Sequence, residues 1–228
     1  MSFQLFVKNL SKSYGTKTVL SSVSCTYQSG LIHGIVGANG SGKTTFFNCL
    51  THNLSFQGKV EYPQNGRLGY LPTELFMYSR ITGMEFIHFC LNAKDIPVEK
   101  NKIESYNTLF ELPLNEYAET YSTGMLKKLY LFVLILEKNE ILILDEPFNG
   151  LDVNAVSYIS ELLLRLKTDG TMILISSHII DHLCSFCDTL TLIENGQILL
   201  APDREGFVQI EKRIKEGVQQ KFKALEEL

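Results

Sequence analysis

The chain has 228 residues, 45% of them hydrophobic and 20% charged, enough to bury a core without covalent staples and unlike a disordered chain. A formal net charge of −4, with no tryptophan and no Lys/Arg cluster interleaved with aromatics, argues against a phosphate-tracking surface, so no nucleic acid is expected as a partner. The longest apolar run, Leu129 to Leu136, falls far short of the roughly 20 residues that cross a bilayer, and Met1 to Leu10 lack the pattern of a secretory signal. A cytoplasmic chain is therefore expected. Its five cysteines, Cys25, Cys49, Cys90, Cys184 and Cys187, are odd in number and suit free thiols; Cys184 and Cys187, near His182, lack a second pair at metal-ligand spacing.

Along the chain, Phe3, Leu5 and Val7 alternate with polar neighbours, and Leu31 to Val36 is a short apolar run that ends in glycine; both read as strands. Thr44 to Leu50 reads as a helix, and Arg67 to Leu71, stopped by Pro72, as a further strand. Between Thr73 and Lys138 the period becomes helical, with Met84, Ile87 and Leu91, then Ile103, Tyr106 and Phe110, then Leu126, Leu129 and Val133. Strands resume at Glu140 to Leu144 and Thr171 to Ser176, on either side of a helix from Val153 to Lys167. That alternation implies a parallel sheet wrapped by helices. Asn195-Gly196 between Leu190–Ile193 and Gln197–Leu200 predicts an antiparallel hairpin. In the tail, Ile210, Ile214, Val218, Phe222 and Leu225 form one apolar stripe, expected to pack on the chain's own domain.

Two segments carry chemistry. Gly37-Ala38-Asn39-Gly40-Ser41-Gly42-Lys43-Thr44 fits the phosphate-loop pattern GxxxxGK followed by Ser or Thr, and it lies between a strand and a helix as that mechanism requires. Its glycines let backbone N–H groups face phosphate oxygens, Lys43 is placed to reach the β- and γ-phosphates, and Thr44 to set its hydroxyl on Mg²⁺. Ile141 to Leu144 is an apolar strand that ends in Asp145 and Glu146. Adjacent carboxylates there need a compensating cation, which makes Asp145 the metal-side acid and leaves Glu146 to orient or deprotonate the attacking water. His33, His52 and His88 carry no assigned role; a lone strand histidine is ordinarily a satisfied core group.

Taken together, these motifs resemble the ABC ATPase family over nearly the whole chain. Tyr14 stands where that family has its adenine-stacking aromatic, and Ser122-Thr123-Gly124-Met125 resembles its signature segment at a helix start. Asn149-Gly150-Leu151-Asp152 resembles the loop that crosses the dimer interface, and His178 the γ-phosphate-sensing histidine. The resemblance implies an α/β P-loop NTPase with a mostly parallel sheet, N-terminal antiparallel strands and an inserted helical lobe. It also implies one domain, with a core over 1–72 and 139–205, a lobe over 73–138 and a C-terminal helix over 206–228. ATP and Mg²⁺ are the implied cofactors. Lys43, Glu146 and His178 are the implied catalytic groups, and Thr44 and Asp145 the metal ligands. Tyr14, Gly37, Asn39, Gly40, Ser41, Gly42, Lys43, Thr44, Thr45, Ser122, Gly124 and Asp152 make up the nucleotide-binding set.

The implied assembly is a head-to-tail dimer, of two copies or of paired cassettes, with each ATP between the phosphate loop of one subunit and Ser122 and Gly124 of the other. A separate membrane-spanning transporter subunit is the implied partner, which places the chain at the inner face of the cell membrane. Two departures stand out. Thr123 replaces the first of the usual two signature glycines, a variant associated with small stand-alone cassettes of drug, peptide or bacitracin-type exporters. Thr73 and Glu74 stand where the family has a glutamine that touches the metal and the water. Thr73 is too short to span a glutamine's reach, so a water-filled gap, weak metal affinity and slow basal hydrolysis are expected there. The expected function is the ATP-hydrolysing subunit of an ABC transporter, of exporter type. The alternative is a soluble relative that acts on translation or as a regulatory ATP-driven clamp; relatives that act on translation usually join two cassettes in one chain and carry basic linkers, and this sequence has neither, while Glu146 and His178 argue against a sensor that hardly hydrolyses.

Overall fold

The apolar runs assemble into two sheets in a computed structural model that describes residues 2–63, 66–97 and 100–226, with side chains to residue 217. Strands β1 (Gln4–Tyr14), β2 (Lys17–Gln28) and β4 (Gln57–Glu61) form an antiparallel sheet in the order β2-β1-β4. The larger sheet runs β5-β6-β7-β3-β8-β9, from β5 (Leu68–Leu71), β6 (Ile141–Leu144), β7 (Met172–Ser177), β3 (Ile32–Val36), β8 (Thr189–Glu194) and β9 (Gln197–Ala201). Its first five strands are parallel, and only β9 returns antiparallel, across the Asn195-Gly196 turn.

Parallel strands must be covered on both faces, and here two apolar layers do so. Ile141 and Ile143 point with Met172 and Leu174 to a core shared with the small sheet and with α1 (Lys43–Leu50). Leu142 and Leu144 point the other way, with Ile173 and Ile175, toward α4 (Thr123–Leu136) and α5 (Val153–Thr168). The remaining helices are α2 (Gly83–Asn92) and α3 (Lys100–Phe110) in the lobe, α6 (Ile180–Phe186), and α7 (Arg204–Glu226). A capping box between Thr82 and Glu85 sets the start of α2.

Helix α4 joins the lobe to the sheet, and eight of its fourteen residues are buried. Phe132 is 0% exposed and stacks on Phe110 of α3 with centroids 4.7 Å apart. Phe132→Ala is expected to cost about 3–5 kcal/mol through the cavity it leaves, read as a lower denaturant midpoint at unchanged slope.

On α7, Ile210 is fully buried and Ile214 partly so, against their own domain, and Arg213 pairs with Glu194 at 2.8 Å. The remainder of the tail stripe, Val218, Phe222 and Leu225, lies outside the described side chains. All five cysteines are free thiols, and burial pushes the Cys25 thiol up to about 12. His33 is 2% exposed, held by Thr189 and Gln28.

Candidate nucleotide site

Because β5, β6, β7 and β3 are parallel, their carboxyl ends share one edge of the sheet, the edge where ligands of open α/β sheets bind. Val36 pairs with Ser177 and Leu71 with Leu144, so four loops leave side by side. They carry the phosphate loop, Thr73, the Asp145-Glu146 pair and His178.

The phosphate loop is shaped for an anion. Gly42 has φ 110, and a Cβ there would sit 2.9 Å from Val19. As the N-cap of α1 it offers no side-chain acceptor, which leaves the first-turn N–H groups to an outside partner. Ser41 Oγ is buried without a hydrogen-bond partner, an orphan that a bound phosphate or its counter-ion would satisfy. Lys43 is 7% exposed; its Nζ donates to Gly37 O at 2.8 Å and lies 3.8 Å from Glu146 Oε1. Asn39 and Gly40 are exposed, and Thr45 is half-buried on the first turn of α1.

Asp145 is completely buried and accepts three hydroxyls. Thr44 and Thr73 donate to Oδ2 at 2.6 and 2.7 Å, and Ser176 to Oδ1 at 2.5 Å. The hydroxyl of Thr73 thus reaches the Asp145 carboxylate directly. The loop after β5 runs close enough to the end of β6 for a short side chain to reach, while Glu74 is exposed and makes no bond to Asp145. Among the described residues no group of three His, Cys, Asp or Glu side chains could hold a metal. One carboxylate with two threonine hydroxyls, beside a phosphate-shaped loop, is a set of hard oxygen donors that fits Mg²⁺ completed by phosphate oxygens and water.

Glu146 has φ 51, a left-handed conformation that side chains rarely adopt. Its N–H donates to Ser176 Oγ at 2.9 Å, and its carbonyl accepts from Lys127 Nζ at 2.6 Å. Its carboxylate lies 3.0 Å from His178 Nδ1. Burial pulls the Lys127 ammonium below the ordinary lysine value, against the opposing pull of Glu146 and Asp145.

A cleft of about 890 Å³ runs along the phosphate loop, lined also by Lys17, Thr18, Val19, His178 and Ile214. Tyr14, 49% exposed beside Lys17 at the tip of the β1–β2 hairpin, is not among its lining residues. Neither are Ser122, Gly124 and Asp152, which gather instead around the loop after Glu146. Ser122 caps α4 by accepting from Met125 N, and a Cβ on Gly124 would lie 2.5 Å from Gly150 O. Asp152 caps α5 by accepting from Ala155 N and lies 3.8 Å from Lys128. Sequence reasoning missed Ser176 and Lys127. The second left a weak signal, one of two adjacent lysines in a mostly apolar helical stretch.

The parallel sheet, with its glycine loop between strand and helix, defines the P-loop nucleotide-binding class. A family model described as ABC transporter matches residues 20–149. A lantibiotic transport ATP-binding protein of Streptococcus pyogenes is 28% identical over 221 residues, covering 91% of this chain and 94% of the relative. A bacitracin transport ATP-binding protein of Enterococcus faecalis is 30% identical over 214 residues, covering 87% and 69%. A solved structure described as the ATP binding subunit of an ABC transporter matches with TM-score 0.78 at 25% identity, over 87% of this chain and 89% of that one. The chain belongs to the ABC transporter family. No described helix is long and apolar enough to cross a membrane.

Proposed function

We propose that the chain is the ATP-hydrolysing subunit of an exporter-type ABC transporter, with its transport path in a separate membrane-spanning subunit. One observation carries the chemistry: at the strand edge, the Glu146 carboxylate sits between Lys43 and His178. ATP enters with its phosphates on the loop. Lys43 leaves the Gly37 carbonyl for the β- and γ-oxygens, and the first-turn N–H groups of α1 take the remaining charge. Glu146 holds the attacking water and takes its proton, while His178 fixes the carboxylate's direction. Thr44 and Asp145 would hold Mg²⁺, which supplies charge neutralisation across the phosphate oxygens. The exporter reading is supported by the names of the lantibiotic and bacitracin relatives and by Thr123 in the signature segment.

Ser122 and Gly124 lie away from the cleft of their own chain, which favours a second cassette whose ATP they would meet. The direct test is phosphate release by the purified chain with Mg·ATP, alone and with whichever polytopic membrane protein co-purifies. Hydrolysis stimulated by that membrane protein supports the reading; a chain that binds no ATP, or that co-purifies with ribosomes, removes it.

Thr73 gives a finer prediction. Its hydroxyl shares Asp145 Oδ2 with that of Thr44, so when Thr44 turns to a ligand Thr73 is the donor left to that oxygen among the described residues. Thr73→Val should raise the Mg²⁺ concentration for half-maximal hydrolysis about tenfold, the order expected for a hydrogen bond to a charged group. Equal Mg²⁺ curves for variant and wild type would show that the bond has no part in the site.

A further inference from the structure

Lys127 stands apart from the machinery described above. It lies in the second turn of α4, is 2% exposed, and spends its ammonium on one main-chain oxygen, that of Glu146, at 2.6 Å. An ammonium withdrawn from water is costly, a cost offset here by the nearby charges of Glu146 and Asp145. A methionine would fill the same space. What the amine adds is a fixed donor on a peptide that needs fixing.

That need arises from the left-handed backbone of Glu146, which persists only where its surroundings over-determine it. The N–H is held from β7 by Ser176, and the C=O is held from α4 by Lys127, with Asn149 N–H adding a longer contact at 3.3 Å. Fixing both polar atoms fixes the direction in which the side chain leaves the main chain, toward Lys43 and His178. Nor is Lys127 the only link between α4 and this segment. Gly124 packs against Gly150 O too closely to admit a Cβ, and Lys128 lies 3.8 Å from Asp152. The first two turns of α4 are thus fastened to residues 146–152 at three points.

We propose that Lys127 is a positioning residue that ties the strained main chain of Glu146 to α4, so that a shift of the helix carrying Ser122 re-aims the Glu146 carboxylate. The inference rests on the reading of Glu146 as the group that handles the attacking water. It extends that reading: an event at the N-terminus of α4, including engagement of a neighbouring cassette's nucleotide, reaches the chemistry of this chain through one buried amine.

The test is Lys127→Met, which keeps length and burial and removes the donor. The turnover number should fall about tenfold to a hundredfold, as for a misplaced catalytic group, with KM for ATP and the ATP affinity of the resting protein unchanged. Lys127→Gln, which keeps a neutral donor on a shorter arm, should lie between the two, about twofold to fivefold below wild type. Wild-type turnover in Lys127→Met overturns the proposal, and so does a variant in which turnover, KM and ATP affinity decline together, the mark of a merely structural loss. If Lys127→Met does not fold, Lys127→Gln decides alone: reduced turnover at unchanged KM supports the tether, and wild-type turnover or a joint shift overturns it. Glu146→Gln, measured alongside, separates the two levels. If it hydrolyses normally, the reading of Glu146 has failed; if it is inactive while Lys127→Met is normal, only the tether has failed.

Discussion

Lys43→Ala is expected to hydrolyse ATP at less than about one-hundredth of the wild-type rate, because it removes a preorganised cation from the phosphates that carry the developing charge. The fold should survive. Lys43 Nζ bonds only loop carbonyls, Gly37 O at 2.8 Å and Ala38 O at 3.4 Å, which water can solvate once the side chain is gone. Glu146 loses a neighbour at 3.8 Å and keeps His178 at 3.0 Å. A stability change within about 1 kcal/mol is therefore expected. Phosphate release and thermal melting on the same preparation check both halves. Hydrolysis near wild type would defeat the assignment of Lys43, and a collapsed melt would make the lost activity uninformative about phosphate.

Glu146→Gln should separate binding from chemistry. The amide has the size of the carboxylate, and the main-chain anchors to Ser176 and Lys127 do not involve the side chain, so the left-handed geometry is retained. What disappears is the ability to take a proton from water. A loss of about a hundredfold or more in turnover is expected, within the range that general-base catalysis contributes. ATP affinity should stay within a few-fold of wild type, since the phosphate loop and Lys43 are untouched. Binding measured with Mg·ATP and turnover measured under the same conditions settle it; a variant that turns over normally returns the role of base to another group.

The phosphate loop and the Asp145-Glu146 pair were legible in the sequence because their chemistry is written in consecutive residues. The larger sheet was legible for a related reason: four of its strands are short apolar runs bounded by turn residues. Strand β2 was not read from its residues. Its buried positions Leu20, Val23, Cys25 and Tyr27 break step at Ser22, which has φ 52 where the pairing with β1 slips, so the two-residue period is lost where a reader would look for it. Strand β4 buries only Val60 and leaves almost no pattern. Side-chain length alone does not reveal the bond from Thr73 to Asp145. The distance it had to span was set by how β5 and β6 pair, Leu71 beside Leu144, which one sequence does not reveal. Lys127 and Ser176 act on Glu146 from 19 and 30 residues away in the chain, across tertiary contacts that no local motif encodes.

We propose that ATP is held between the phosphate loop of one cassette and the N-terminus of α4 in another. Ser122 caps that helix on an exposed face, outside the cleft of its own chain, and so is free to meet a phosphate that approaches from a neighbour. Hydrolysis would dissolve the bridge, so the assembly should be trapped in Glu146→Gln, where ATP binds and persists. The most direct measurement is the mass of Glu146→Gln in solution by light scattering, with and without Mg·ATP, beside the same protein carrying Ser122→Arg. A doubling of mass that requires ATP and is abolished by Ser122→Arg while ATP still binds is expected; a protein that binds ATP yet stays monomeric at high concentration, or a dimer indifferent to Ser122→Arg, would contradict the shared site.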